Sequence, residues 1–291
     1  MKNSTNERLK REHDTIYAQL PDAQKRACDI AKEKGASSLV TTLPLWDEDL
    51  HFHKREYCDQ VLLRYQWTPP NLPEWCACGA KFSIVHSQIC HVSGFVDMRH
   101  TNPTRLLEKL FRKCLNDVEY EPLLQPVPDM VAQSLPKSAN IKNDARADLR
   151  ALGFWQDNVA AFFDTRVFYP FAQTYLDKTL ESAYKMHEKE KKRDYQQRIR
   201  HVEHGTFTPL VFSSYGTCNK ETTIVLKKLA SMLADKNSTE YAQEISLLRT
   251  RLSFEFMRSA QRCLRGTRHY RSKTTLFRPA PVVIHEAGIS L

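Results

Sequence analysis

The 291-residue chain holds only 8 glycines, and no run of apolar residues approaches the roughly 18 to 20 that a bilayer-spanning helix needs. Acids are also in deficit, with 34 Asp and Glu against 43 Lys and Arg. Scarce glycine beside 41% hydrophobic and 26% charged residues excludes a fibrous or disordered polymer and describes a chain able to bury a core. The polar opening Met1-Lys2-Asn3-Ser4-Thr5-Asn6-Glu7-Arg8 lacks the apolar stretch of a secretory leader. The expectation is an intracellular chain whose Asn3 and Asn237 triplets are unmodified. Its eight cysteines are then expected as thiols or metal ligands rather than disulfides.

The acid deficit leaves a formal charge of +9. Such a surplus favours polyanionic partners, because each neutralised phosphate releases condensed counterions. Plain solubility is the competing explanation.

Four segments are expected: a helical lead-in over 1–70, a cysteine-rich knuckle over 71–95, a mixed core over 96–215, and C-terminal helices with a basic tail over 216–291. In the lead-in, Pro21-Asp22 opens a helix that Gly35 closes, and a second helix runs from about Asp49 to Tyr65. Pro69, Pro70 and Pro73 then break the chain. The core reads as a helix over Thr104–Leu115, a strand over Val118–Leu124 and a loop over 125–143. Two alternating strands follow, one with Ala147, Leu149 and Ala151 on a common face and one ending at Pro170. A long helix from about Tyr175 to Glu203, a strand over Thr208–Ser213 and two helices near 220–234 and 241–264 complete the reading.

Cys76, Cys78, His86 and Cys90 have the spacing C-x-C-x7-H-x3-C. Zinc takes four borderline ligands in a tetrahedron, and short gaps let one loop supply them; His91 is an alternative ligand. Core cysteines beside an ordinary histidine are the competing explanation. Further on, Asp148 and Asp164 stand on the polar sides of successive strands, with Arg166 two residues beyond on the same side. Paired carboxylates suit Mg²⁺, which binds a few carboxylates plus water and phosphate oxygens. Two unrelated strand acids paired with Arg146, Arg150 or Arg166 would look the same. Two basic tracts are candidate nucleic-acid contacts: Lys191 and Lys192 within a mixed charge run, and Arg258, Arg262, Arg265 and Arg268, continued by Arg271, Lys273 and Arg278. Solvated faces are the alternative for both.

These residues resemble the restriction-like endonuclease module of site-specific non-LTR retrotransposons, in which a Cys/His knuckle precedes an Arg-His motif and the PD-(D/E)xK acids. The resemblance runs from about Ser38 to Gly266 and includes Arg99-His100, Arg146-Ala147-Asp148, Phe162-Phe163-Asp164-Thr165-Arg166 and Val202-Glu203-His204-Gly205. It implies an α/β (α+β) fold with an α-β-β-β-α-β core, the knuckle and flanking helices, and a Mg²⁺-dependent DNA endonuclease carrying structural Zn²⁺. Asp148 and Asp164 would hold the catalytic metal, with the Thr165 carbonyl as a further ligand. Arg99, His100 and Arg166 would complete the catalytic set, and Glu108 or Glu121 would be an auxiliary acid. Thr101 stands where the family has Asp or Asn, and Arg166 where it has Lys; an arginine cannot act as a general base. The implied partners are DNA or RNA and the reverse transcriptase of the same element, in the nucleus. The chain would be a C-terminal part of a polyprotein or a decayed copy. The alternative function is a catalytically inactive, zinc-stabilised nucleic-acid-binding relic.

Overall fold

A four-stranded mixed sheet lies at the centre of the computed structural model, which describes residues 2–42 and 50–268. Its strands β1 (Val118–Tyr120), β2 (Leu149–Leu152), β3 (Ala160–Phe168) and β4 (Thr206–Ser213) lie in chain order across the sheet. The first two junctions are antiparallel, and the last, between β3 and β4, is parallel. A parallel pair needs a crossover. Helix α8 (Leu180–Lys191) supplies it, prolonged by π-helical turns at Lys192–Gln196 and Ile199–Glu203.

Ahead of the sheet run α1 (Lys2–Gln19), α2 (Asp22–Lys32), α3 (Ser38–Thr41), α4 (Lys54–Arg64), α5 (Ile84–Ile89) and α6 (Phe95–Cys114). A short α7 (Asp129–Ser134) sits inside the expected loop, and α9 (Lys220–Asn237) and α10 (Tyr241–Arg265) close the described chain. No helix among the described residues is long and apolar enough to cross a membrane.

Strand alternation sends the two sides of β3 into different cores. Ala161 and Phe163 join Leu107 and Phe111 of α6 and residues of α9 and α10 in the largest cluster. There Phe163 packs edge-on to the rings of Phe111 and Phe154. Phe162 instead meets Ile199, and Phe168 meets Tyr175, Ala183 and Tyr184 on the α8 side. Residues from the lead-in, the knuckle, β3's end and α10 share a further cluster, including Ala27, Leu63, Phe82, Tyr169 and Leu264.

Three departures from the sequence reading have physical causes. First, α6 begins nine residues before Thr104 and runs through Pro103. Proline normally breaks a helix, but tertiary contacts hold these early turns: Arg99 donates to the Gln88 carbonyl at 2.6 Å, and Cys263 Sγ to the Phe95 carbonyl at 3.5 Å. Second, Ala147 does not share a face with Leu149 and Ala151. The chain bends at Asp148, and Ala147 packs with Phe162 and Ile199 while the other two join the α6 side. Third, α4 starts at Lys54; Asp49, where that helix was expected to begin, lies outside the described residues.

Two local features seat β4. Gly205 is tight: a Cβ there would stand 2.6 Å from the Ala160 carbonyl oxygen and 2.9 Å from the Phe162 ring. Pro209, opposite Asp164 in the register, is tolerated because β4 is an edge strand. On that strand the Val211 N–H donates to Thr222 Oγ1 at 2.9 Å, and the Ser213 N–H to the Thr217 carbonyl at 2.8 Å.

Candidate functional site

The knuckle is a small hairpin followed by α5. Trp75 and Lys81 form an antiparallel bridge, and the Cys76 N–H donates to the Ala80 carbonyl at 2.9 Å. Between them Gly79 turns the chain with φ +85°, a conformation that favours glycine. Ser83 caps α5 by accepting the His86 N–H at 3.0 Å, and Cys90 follows its last turn. The Cys76, Cys78, His86 and Cys90 ligand atoms all lie within 4.8 Å of one another. Cys76 Sγ is 3.8 Å from Cys90 Sγ, and Cys78 Sγ is 3.4 Å from His86 Nε2. A zinc tetrahedron with bonds of about 2.3 Å to sulfur and 2.0 Å to nitrogen has edges of about 3.8 and 3.5 Å, so these atoms have the spacing of such a site. Burial keeps His86 below its ordinary pKa, with Arg268 adding to the effect, and the neutral imidazole is the ligating form. His91 is not among the converging ligands.

The second cluster lies where β2 and β3 run side by side. Asp148 N–H donates to the Phe163 carbonyl at 3.0 Å, and its Oδ2 accepts the Thr165 N–H at 2.5 Å. Its backbone and side chain therefore bracket Asp164. From α6, His100 Nε2 donates to both Asp148 Oδ2 and the Thr165 carbonyl, each at 3.0 Å. From α8, Lys191 Nζ reaches to 2.5 Å from Asp164 Oδ2. Both layers of helix thus meet at the two acids.

The electrostatics follow from burial. Asp164 is 4% exposed; desolvation, then the Asp148 charge, push its pKa up to about 6 against the pull of Lys191. Burial opposes charge on His100 and Lys191, yet the acids win and both pKa values are raised. Positive and negative groups alternate through the cluster.

Arg166 lies on Asp164's side of β3, where its charge is felt by Tyr175 and His187, and its buried Nε has no hydrogen-bond partner. Arg99 is 4% exposed and is bonded to Gln88 rather than to the acids. Glu108 is held by Arg105 and Arg112 at 3.0 and 2.9 Å, while Glu121 meets the cluster through its N–H, which donates to the Asp148 carbonyl at 2.9 Å.

Several expected nucleic-acid contacts have partners inside the protein. Lys191 serves Asp164, and Lys192 pairs with Glu188 and Glu221. Arg265 makes a two-point bond to Asp59, and Arg268 donates to the Ser87 and Cys263 carbonyls. Arg258 and Arg262 remain at the surface of α10. Arg271, Lys273 and Arg278 lie outside the described residues.

Lys191 is the site residue that sequence reasoning placed elsewhere. Its signal was the spacing Tyr184, His187, Lys191, Tyr195, which sets it on the inward stripe of α8 rather than on the solvated one. No protein-family model and no curated protein matches the chain.

Proposed function

We propose that this chain is a Mg²⁺-dependent DNA endonuclease of the PD-(D/E)xK kind, derived from a non-LTR retrotransposon and acting on nuclear DNA, with structural Zn²⁺ in its knuckle. The observation that carries the reading is that Asp148 lies alongside β3 on either side of Asp164, with Lys191 on one acid and His100 on the other. With the short α7 set aside, the order helix, strand, strand, strand, helix, strand from α6 to β4 supports it.

A Mg²⁺ ion held there would acidify a water and stabilise charge on the scissile phosphate. Asp148 and Asp164 would be its protein ligands. His100 is a positioning residue, since its Nε2–H fixes both Asp148 and the Thr165 carbonyl. Arg166, always charged, takes the phosphate. Lys191 supplies the ammonium that the family pattern carries on the strand, delivered here from α8.

Plasmid nicking in Mg²⁺ tests the reading. Wild type is expected to convert supercoiled to open-circular DNA, while Asp164→Asn and Asp148→Asn leave it supercoiled. Equal nicking by wild type and variants, or none by either, would instead leave the zinc-stabilised nucleic-acid-binding relic.

A further inference from the structure

Apart from the acids and the knuckle, a strongly charged recess of about 290 Å³ lies between α6 and α10. Helix α10 buries 12 of its 25 residues. Its outer side carries Arg251, Glu255, Arg258 and Arg262, whose spacings of four, three and four residues keep them on one face. Across the groove α6 presents Asn102, Arg105 and Lys109. Five cations thus line the recess with one acid, Glu255. A neighbouring recess shares Arg258 and Arg262 and adds His51 and His53.

We infer that this groove is a second nucleic-acid contact, one that holds a phosphodiester backbone apart from the two carboxylates. At about 100° per residue, Arg105 and Lys109 sit roughly 140° and 180° around α6 from His100, which faces Asp148. Neither Asp148 nor Asp164 lines the groove. From Arg251 to Arg262 the α10 stripe spans roughly 16 Å at about 1.5 Å per residue. That is about five base-pair steps of duplex at ~3.4 Å each.

The neighbouring acids do not cancel the charge. Glu108 is divided between Arg105 and Arg112, and Glu255 stands 3.5 Å from Arg262. Lys109 has no ion-pair partner among the described residues. Two of the guanidinium groups are also held in place beforehand. Arg105 lies 3.3 Å above the Tyr120 ring, and Arg258 lies over Phe52 while donating to the His51 carbonyl. Binding a phosphate there then costs little additional side-chain order. Contacts to phosphate oxygens alone position nucleic acid without choosing sequence.

Fluorescence anisotropy with a short duplex of arbitrary sequence, titrated with salt, tests the groove apart from catalysis. The double variant Lys109→Gln/Arg262→Gln is expected to weaken binding roughly tenfold or more at about 0.1 M salt. It should also flatten the dependence of log K on log salt by about 1.8, or 0.9 for each lost phosphate contact. Lys109→Arg/Arg262→Lys should restore both quantities, and Lys185→Gln/Lys220→Gln, exposed elsewhere, should alter neither. An unchanged slope in the groove variant, or the same loss in the distant control, overturns the inference. So does a groove variant that loses binding to phosphatidylserine vesicles while keeping the duplex. In an Asp164→Asn background the groove variant should produce the same change of slope. Failure of nicking with the slope change intact would therefore sink the endonuclease alone, and intact nicking with an unchanged slope would sink the groove alone.

Discussion

Lys191 Nζ and Asp164 Oδ2 are 2.5 Å apart, joining the inward stripe of α8 to the middle of β3. The pair lies in surroundings where desolvation penalises both charges, so each partner is costly without the other.

Replacing Lys191 with Met should abolish nicking and move the Asp164 pKa further above its present value of about 6. The stability cost is expected at about 1–3 kcal/mol, less than the usual penalty for an orphaned buried charge, because the acid can take up a proton instead. Urea unfolding at several pH values checks both parts; a cost that does not change with pH would contradict the proton uptake.

A second expectation concerns pH in the metal-free protein. Asp164 at about 6 binds its proton more tightly folded than unfolded, where an aspartate titrates near ~3.9. Its stabilising contribution is fully present below about pH 4 and is lost as pH rises through 6, for a total of about 2–3 kcal/mol. His100, also raised, adds a loss that begins above about pH 6.5. Asp164→Asn should therefore remove the slope between pH 4 and 6 seen in wild type, and added Mg²⁺ should flatten the wild-type slope. Parallel curves for the two proteins would refute the assignment.

Purified protein should carry one zinc per chain by elemental analysis. Cys76, Cys90, Phe82 and Ile84 share a cluster with Ala27, Leu63, Tyr169 and Leu264, so losing the metal should loosen more than the knuckle. With an apparent binding energy of order 10 kcal/mol for structural zinc, chelation or Cys90→Ser should lower Tm markedly. A chelator-insensitive Tm would count against the site.

Gly205→Ala places a methyl group against the Ala160 carbonyl and the Phe162 ring. Overpacking of this kind costs about 1–3 kcal/mol, read as a lower urea midpoint. An unshifted midpoint would show that β3 and β4 separate easily at this end.

Much of the mixed sheet was legible because its strands keep a simple alternation: Phe162, Asp164, Arg166 and Phe168 on one side of β3, and Ala161 and Phe163 on the other. The knuckle was legible because its four ligands are local in sequence, within 15 residues. Other features depend on contacts between distant segments. Helix α6 continues through Pro103 because Gln88 and Cys263 hold its first turns. Arg265 turns inward because Asp59, two hundred residues earlier, waits for it. Local periodicity records neither partner, and the charge of the run 187–194 concealed Lys191, which reaches Asp164.

The arrangement of β4 also bears on how the molecule behaves in a crowd. Along its open margin, Pro209 has no N–H to offer, and those of Val211 and Ser213 are already taken by Thr222 and Thr217. A sheet border without spare donors cannot template the addition of another chain's strand. Over this stretch the β4 border is closed to recruitment, so the molecule is protected from edge-to-edge joining along that side of its sheet.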